Sequence, residues 1–388
     1  MFNLSRYIAF LLLLLVGCVK PFDYGSVDYE RAIVVDGLFT DKKDKHKVFL
    51  GYTYPINTFE TTPISGAQIM VMDSKGNEYP FVETISGAYT TIDSVAGISG
   101  ETYQLMITLE DGSSYESRPT LLMASQPIDS IYDRYAHLPS ETKGRNEGGI
   151  QFFLDVHDDS NQNRHFRFEW EETFVIYVPY PSNYIYYEES DTWEYRTERV
   201  GTCYTTNYSN QLILGNSIGS STNRLAEFPI RFVSEESTTL RHRYSILVRQ
   251  YVLDEYAYNY YRKVRESIES GGSLFDKQQG TITGNISSIN NPGEMVLGYF
   301  EVSGTNETRV FFDAEELDEE VKRPPYPYPC TNELIITVND SVAYYYQQGY
   351  YIVNDTQIPF EPNMEMAPQL CTECASYAST VRPEFWID

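Results

Sequence analysis

Beyond residue 17 the chain has no apolar stretch approaching the roughly 20 residues a helix needs to cross a bilayer. It is also poor in positive charge: 29 Lys and Arg stand against 55 Asp and Glu, a formal net charge of −26. A phosphate-binding surface needs clustered cations, so nucleic acid is excluded as a partner. Histidine is scarce, with His46, His137, His157, His165 and His242 scattered and no HExxH spacing among them. No Gly-x-Ser-x-Gly elbow is expected, and there is no GxxxxGK[ST] loop and no GxGxxG after a strand. The expectation is a protein that is not an enzyme and carries no cofactor.

What is present begins with an address. Arg6 gives a thin positive start, and Ile8 to Val16 form an apolar run of signal-peptide length. Leu15-Val16-Gly17-Cys18 then fits the bacterial lipobox, in which a small residue precedes the cysteine that is acylated. Each buried methylene adds roughly 0.8 kcal/mol of membrane affinity, so two or three acyl chains anchor a protein stably. A lipoprotein signal peptide is expected over 1–17, a lipid on Cys18 and a tether over 18–30.

Four further cysteines remain, Cys203, Cys330, Cys371 and Cys374, and an even count in an exported chain suggests a disulfide framework. Cys371-x-x-Cys374 also has redox and zinc spacing. A redox pair sits at a helix N-terminus after a strand, and zinc needs a second pair of close ligands. This tail reads as neither. Two disulfides are expected, the CxxC thiols pairing with the two distant cysteines.

Tyrosine is abundant, at 34 of 388 residues with 20 Phe, while helix-forming runs are sparse. Tyr, Val, Ile and Thr suit pleated, half-buried surfaces, so a mainly β fold is expected. Strand patterns start at Arg31–Thr40 and Lys47–Tyr54, with Asp41 to His46 as their loop. Ala67, Ile69 and Val71 alternate before an Asp73–Asn77 turn, and Tyr103, Leu105, Ile107 and Leu109 before Asp111-Gly112. That spacing predicts an Ig-like or transthyretin-like β-sandwich over 31–125. A second, larger β-sandwich-like domain follows over 126–325, with Gly149–His157 and Arg164–Glu172 as a hairpin. Its one amphipathic helix starts at Asp254 and stops at Gly271-Gly272. Tyr256, Tyr260, Val264 and Ile268 form the buried stripe, widened by Ala257 and Tyr261. Residues 326–388 read as a Cys- and Pro-containing extension packed on that domain.

Five features in order resemble one family. They are the lipobox, Gly100-Glu-Thr-Tyr-Gln-Leu105, and the strand-to-helix segment Tyr244–Tyr260. Next comes Gly272-Ser-Leu-Phe-Asp276 with Gly284-Asn285-Ile286 and Leu297-Gly298-Tyr299-Phe300. Last is Cys371-Thr-Glu-Cys374 with Thr380-Val-Arg-Pro-Glu-Phe-Trp386. The chain is similar to the Bacteroidota outer-membrane lipoproteins grouped as domain of unknown function 4249. Such proteins are often encoded beside a TonB-dependent outer-membrane transporter and have no agreed activity. The resemblance implies a cell-surface-facing, lipid-anchored outer-membrane protein that binds for, or assists, that transporter in nutrient uptake. A structural or adhesion-type surface lipoprotein is the alternative.

Two more candidates come from the residues themselves. Ile176 to Tyr195 is crowded with aromatics, whose apolar faces and polar handles suit a glycan, a peptide or a partner protein. Tyr184, Tyr186 and Trp193 carry that surface if exposed, and fill a Tyr-rich core if not. Asp159, Asn161 and Asn163 offer oxygen ligands at alternate positions, as a calcium loop does. Arg164 and Trp170 stand where such a loop has Gly and Glu, and turn chemistry explains the same residues. The acidic run from Asp313 to Glu320 reads as a solvated loop.

Overall fold

The computed structural model describes residues 31–54, 62–140, 144–160, 162–219, 222–270, 282–317, 324–326, 328–330, 335–338, 341–358 and 361–387. Cys18, the tether, Asn161 and the Gly271-Gly272 stop lie outside the described residues. Strands take 50% of the described residues and helices 9%, so the fold is mainly β.

The first sandwich is one sheet folded on itself. Its strands run in the order Ile286–Ser288, Ser114–Ser117, Thr102–Thr108, Gln68–Asp73, Glu78–Ile85, Ala88–Thr91, Lys47–Tyr52, Ile33–Thr40 and Val296–Ser303. Glu78–Ile85 turns the corner, pairing with one half through Glu78 to Pro80 and with the other from Phe81 onward. Alternation does the rest: Ile69, Val71, Tyr103, Leu105 and Ile107 point inward onto Val35, Phe39 and Val48. Buried phenols keep their partners. Tyr89 Oη donates to the Ile64 carbonyl at 2.8 Å, and Tyr103 Oη accepts from Ile98 N at 2.7 Å.

Two strands of this sandwich come from far down the chain. The sequence spacing closes the unit at residue 125 and puts 286–303 in the second. The structure puts them in the first. Val296–Ser303 pairs in parallel with Ile33–Thr40 from Ile33↔Val296 to Thr40↔Ser303, and Ile286–Ser288 pairs with Ser114–Ser117. A parallel partner needs no tight turn, so it leaves no local signal. Gly298 permits the approach: its φ is +94°, and a Cβ there would lie 1.8 Å from the Val35 carbonyl oxygen.

In the second sandwich, Ser130–Pro139, Asn146–His157 and Arg224–Ser234 face a sheet of Thr202–Tyr208, His165–Tyr177, Tyr244–Leu253 and Thr305–Phe312. The expected hairpin is corrected here. Asn146–His157 pairs within the first of these sheets and His165–Tyr177 within the second, so the connection is an arch between facing sheets. Phe152, Leu154, Phe166, Phe168, Ile246 and Val248 fill the space between them. Arch and hairpin share the same alternation, and periodicity alone does not separate them.

The return strand runs from the first sandwich through Gly304 into Thr305–Phe312 of the second. A Cβ on Gly304 would lie 2.0 Å from the Met123 carbonyl oxygen of the outgoing linker, so the two crossings lie side by side. Ser125 Oγ donates to the Thr305 carbonyl at 2.8 Å, and Thr305 N donates to Asp41 Oδ1 at 2.8 Å.

A tail unit completes the molecule. Both thiols of the CxxC are bridged to distant cysteines, Cys374 to Cys203 and Cys371 to Cys330. Tyr204 and Ser379 exchange backbone hydrogen bonds at 2.8 and 3.0 Å. Trp386 closes edge-on against Tyr204 and Phe311.

Candidate functional site

The Glu255–Glu269 helix lies on the seam between the sandwiches. Asp254 caps it, with Oδ1 accepting from Ala257 N at 2.7 Å. Its other oxygen accepts from Arg118 Nη2 at 3.0 Å, which ties the helix start to the first sandwich. Ala257 and Tyr258 are buried against Leu214, Tyr251, Leu253 and Tyr299, with Tyr260 and Tyr261 partly covered. The expected stripe is rotated. Tyr256 is 65% exposed and Ile268 68% exposed, because the helix beds in a groove with walls from both sandwiches instead of on one flat sheet. Arg118 stacks on the Tyr256 ring at 3.7 Å.

A charged cluster lies under the helix. Arg167 holds Glu301 with two hydrogen bonds, Nε to Oε2 at 3.0 Å and Nη2 to Oε1 at 3.1 Å, and both side chains are buried. Its third nitrogen donates to Glu169. Ser303 Oγ donates to Glu301 at 2.8 Å, and Tyr251 Oη to Glu169 at 3.1 Å. Burial works against the Arg167 charge, but Glu301, Tyr261 and Glu169 outweigh it and hold the pKa well above its ordinary value. Asp36 stands at the mouth of the seam, reaching solvent yet ringed by protein. That desolvation, and then the Glu301 charge, raise its carboxyl pKa. Because Arg167 belongs to the second sandwich and Glu301 to the first, the pair joins the two.

Two open recesses flank the helix. One of about 830 Å³ is lined by Arg167, Glu169, Ser209 to Leu214, Phe228 to Ile230, Arg265 and Ile268. The other, of about 540 Å³, lies between the helix and the edge of the first sandwich, with Gln104, Glu116, Arg118, Tyr256, Asn259, Tyr260, Lys263 and Asn285 on its walls. Several of these groups are already engaged. Gln104 Nε2 donates to Glu116 and to the Ser117 carbonyl, and Asn285 pins both backbone groups of Phe300. The Lys263 ammonium is exposed, and the Tyr256 ring offers a ligand the area that Arg118 leaves uncovered. Such a set can stack and hydrogen-bond.

The sequence-predicted sites lie elsewhere. Tyr184, Tyr186 and Trp193 fall on the hairpin of Tyr184–Tyr187 and Thr192–Tyr195 and turn to one side of it. There they pack on Val342, Ile352, Met364 and Met366, with Tyr186 7% exposed. The exposed-surface reading of these three is therefore corrected: period two sends Ile185, Tyr187 and Glu194 outward and the named residues inward.

Asp159 is 97% exposed at its side chain, and Asn163 turns to the Ala124 carbonyl at 2.8 Å. The organiser of that loop is Asp158, whose carboxylate accepts from Ser160 N at 2.9 Å and Asn163 N at 2.8 Å. Among the described residues no group of three His, Cys, Asp or Glu could hold a metal.

Gly215-Asn-Ser217-Ile-Gly219 carries the Gly-x-Ser-x-Gly spacing of a nucleophile elbow, which corrects the expectation that the chain has none. It does not have the elbow's geometry. It ends the Ile213–Asn216 strand in a turn, and buried Ser217 Oγ bonds Asn223 Oδ1. The seam residues Arg167, Glu301 and Asp36 were also missed. In Phe166-Arg-Phe-Glu-Trp170 the polar face reads as solvent-facing, and nothing local says that another domain covers it.

No curated protein matches the chain. A family model does, over residues 19–309, which takes in the described strands of both sandwiches up to the return strand, the seam cluster and the helix. Residues 310–388, with the Cys371-x-x-Cys374 segment, fall outside the match. That extent is more than half of the chain, and the protein belongs to the family described as domain of unknown function (DUF4249).

Proposed function

We propose that the protein is a non-catalytic, lipid-anchored binding or accessory protein of the outer membrane, working beside a TonB-dependent transporter in nutrient uptake. The observation that supports binding is the cleft along the helix, where the Lys263 ammonium and the uncovered part of the Tyr256 ring stand beside the tied side chains of Gln104 and Asn285. Preformed concave sites with a few free polar groups suit recognition. The transporter as partner comes from the family resemblance. Copurification from native membranes with a tag on the C-terminal side tests it. A stoichiometric outer-membrane barrel should be retained by the unaltered protein and lost with the Tyr256→Ala, Lys263→Glu double variant, whose melting temperature should stay the same. Absence of any barrel partner would reject the accessory reading in favour of a structural surface protein. The anchor has its own test. Cys18→Ser should abolish acyl labelling and release the protein from membranes, and full retention would reject the lipid on Cys18.

A further inference from the structure

One end of the first sandwich carries a cluster of exposed apolar side chains among the described residues. Ile85 is 72% exposed, Phe49 49% and Tyr54 44%. Phe49 and Ile85 both stand opposite Ala88, one from each neighbouring strand. Val34, Phe49, Tyr52, Tyr54 and Ile85 line a single shallow recess of about 580 Å³, with Asp36 on its wall toward the seam. Exposed clusters of this kind mark interaction surfaces.

The hairpin of Ile33–Thr40 and Lys47–Tyr52 shows which way this end faces. At its turn, Asp41 bonds Thr305 N and Lys42 pairs with Glu307 at 2.8 Å, both on the second sandwich. An eight-residue strand spans about 26 Å, and at the opposite end Arg31 stacks on Tyr52 at 3.6 Å while Thr53 N donates to the Ala32 carbonyl at 2.9 Å. The chain enters the fold there. Residues 19–30 separate that point from Cys18, an extended reach of at most about 45 Å.

We infer that this end of the first sandwich lies on the bilayer, with Ile85, Phe49 and Tyr54 at the boundary between headgroups and acyl chains. Aromatic rings beside an arginine suit that boundary. The patch and the lipid together would fix orientation, holding the second sandwich and its cleft outward. The inference rests on the lipid reading of Cys18.

The test uses the lipidated full-length mature protein on vesicles of phosphatidylethanolamine and phosphatidylglycerol. An environment-sensitive dye is placed on the single free thiol of Ile85→Cys, and in a control on Ile218→Cys, a 62%-exposed position on the second sandwich. Vesicle binding should cut iodide quenching several-fold at position 85 and leave position 218 unchanged. If the protein does not stay on the vesicles, the anchor reading has failed. If it stays and position 85 remains as open to iodide as position 218, the inference is overturned. Protection at position 85 without vesicles would mean a protein contact and would overturn it as well. Tyr54→Cys reads the same end should Ile85→Cys lower the melting temperature.

Discussion

Glu172 is buried completely, and four donors hold it. Arg231 reaches it through Nε at 2.8 Å and Nη2 at 3.0 Å, Tyr244 Oη at 3.0 Å and Asn207 Nδ2 at 3.0 Å. Removing the cation leaves this buried carboxylate uncompensated, so Arg231→Ala should destabilise by roughly 3–5 kcal/mol in urea unfolding.

Asp73 and Asp158 make the fold sensitive to acid. Burial alone would raise the pKa of Asp73, but hydrogen bonds from Asn77 and from the Lys75 and Asn77 backbone outweigh it and hold the pKa below the usual 3.8. Asp158 is lowered in the same way, its burial outweighed by Ser160 and Asn163. Each binds fewer protons folded than unfolded in this range. Their stabilisation is therefore full above pH 3.8 and lost as the pH falls through the lowered native values. The urea midpoint should drop steeply below about pH 4, and Asp158→Asn should flatten that drop. Asp73 was legible in the sequence as a turn residue. Arg167 was not, since a charge alternating with Phe166 and Phe168 looks alike whether water or a second sandwich faces it.

Among the elements, the Tyr184–Tyr187 and Thr192–Tyr195 hairpin shows how composition misleads. A tyrosine-dense segment without a clean apolar period reads as a loop or a binding surface. In the fold it is half of a small core with Val342 and Met366, which arrive from more than 140 residues away. Tyr186→Ala removes a buried ring and its hydrogen bond to Asp191 at 2.7 Å, and should cost roughly 3–5 kcal/mol. A thermal scan showing no change would restore the surface reading. The strands of the first sandwich were plain because alternation and Asp-Gly turns mark them locally. The Asp254 cap was equally plain. The choice of arch over hairpin at 158–164 was hidden, because the turn chemistry of Asp158 serves both.

For the whole molecule, the division at residue 125 is the expectation the structure revises most. A fragment of residues 31–125 lacks Val296–Ser303 and Ile286–Ser288. The Ile33–Thr40 edge then loses its parallel partner, and Val35 and Val48 lose their contact with Phe300 and Val302. That fragment should show no cooperative melting by circular dichroism, whereas the full mature chain should. A fragment with a sharp transition would mean that the returning strands decorate a finished sandwich.

The pairing of Ile33 with Val296 also bears on the order of events in folding. The first sandwich cannot close until residue 303 is available, with the strands of the second sandwich up to Tyr244–Leu253 lying between its two parts. Closing so long a loop brings a large entropic barrier before any contact rewards it, and topologies of this kind fold slowly. While the wait lasts, Ile33–Thr40 exposes an unpaired edge flanked by Val34 and Leu38, a template for pairing with the wrong chain. A protein exported N-terminus first would carry that open edge through most of its crossing, so the step most exposed to aggregation is the arrival of one late strand.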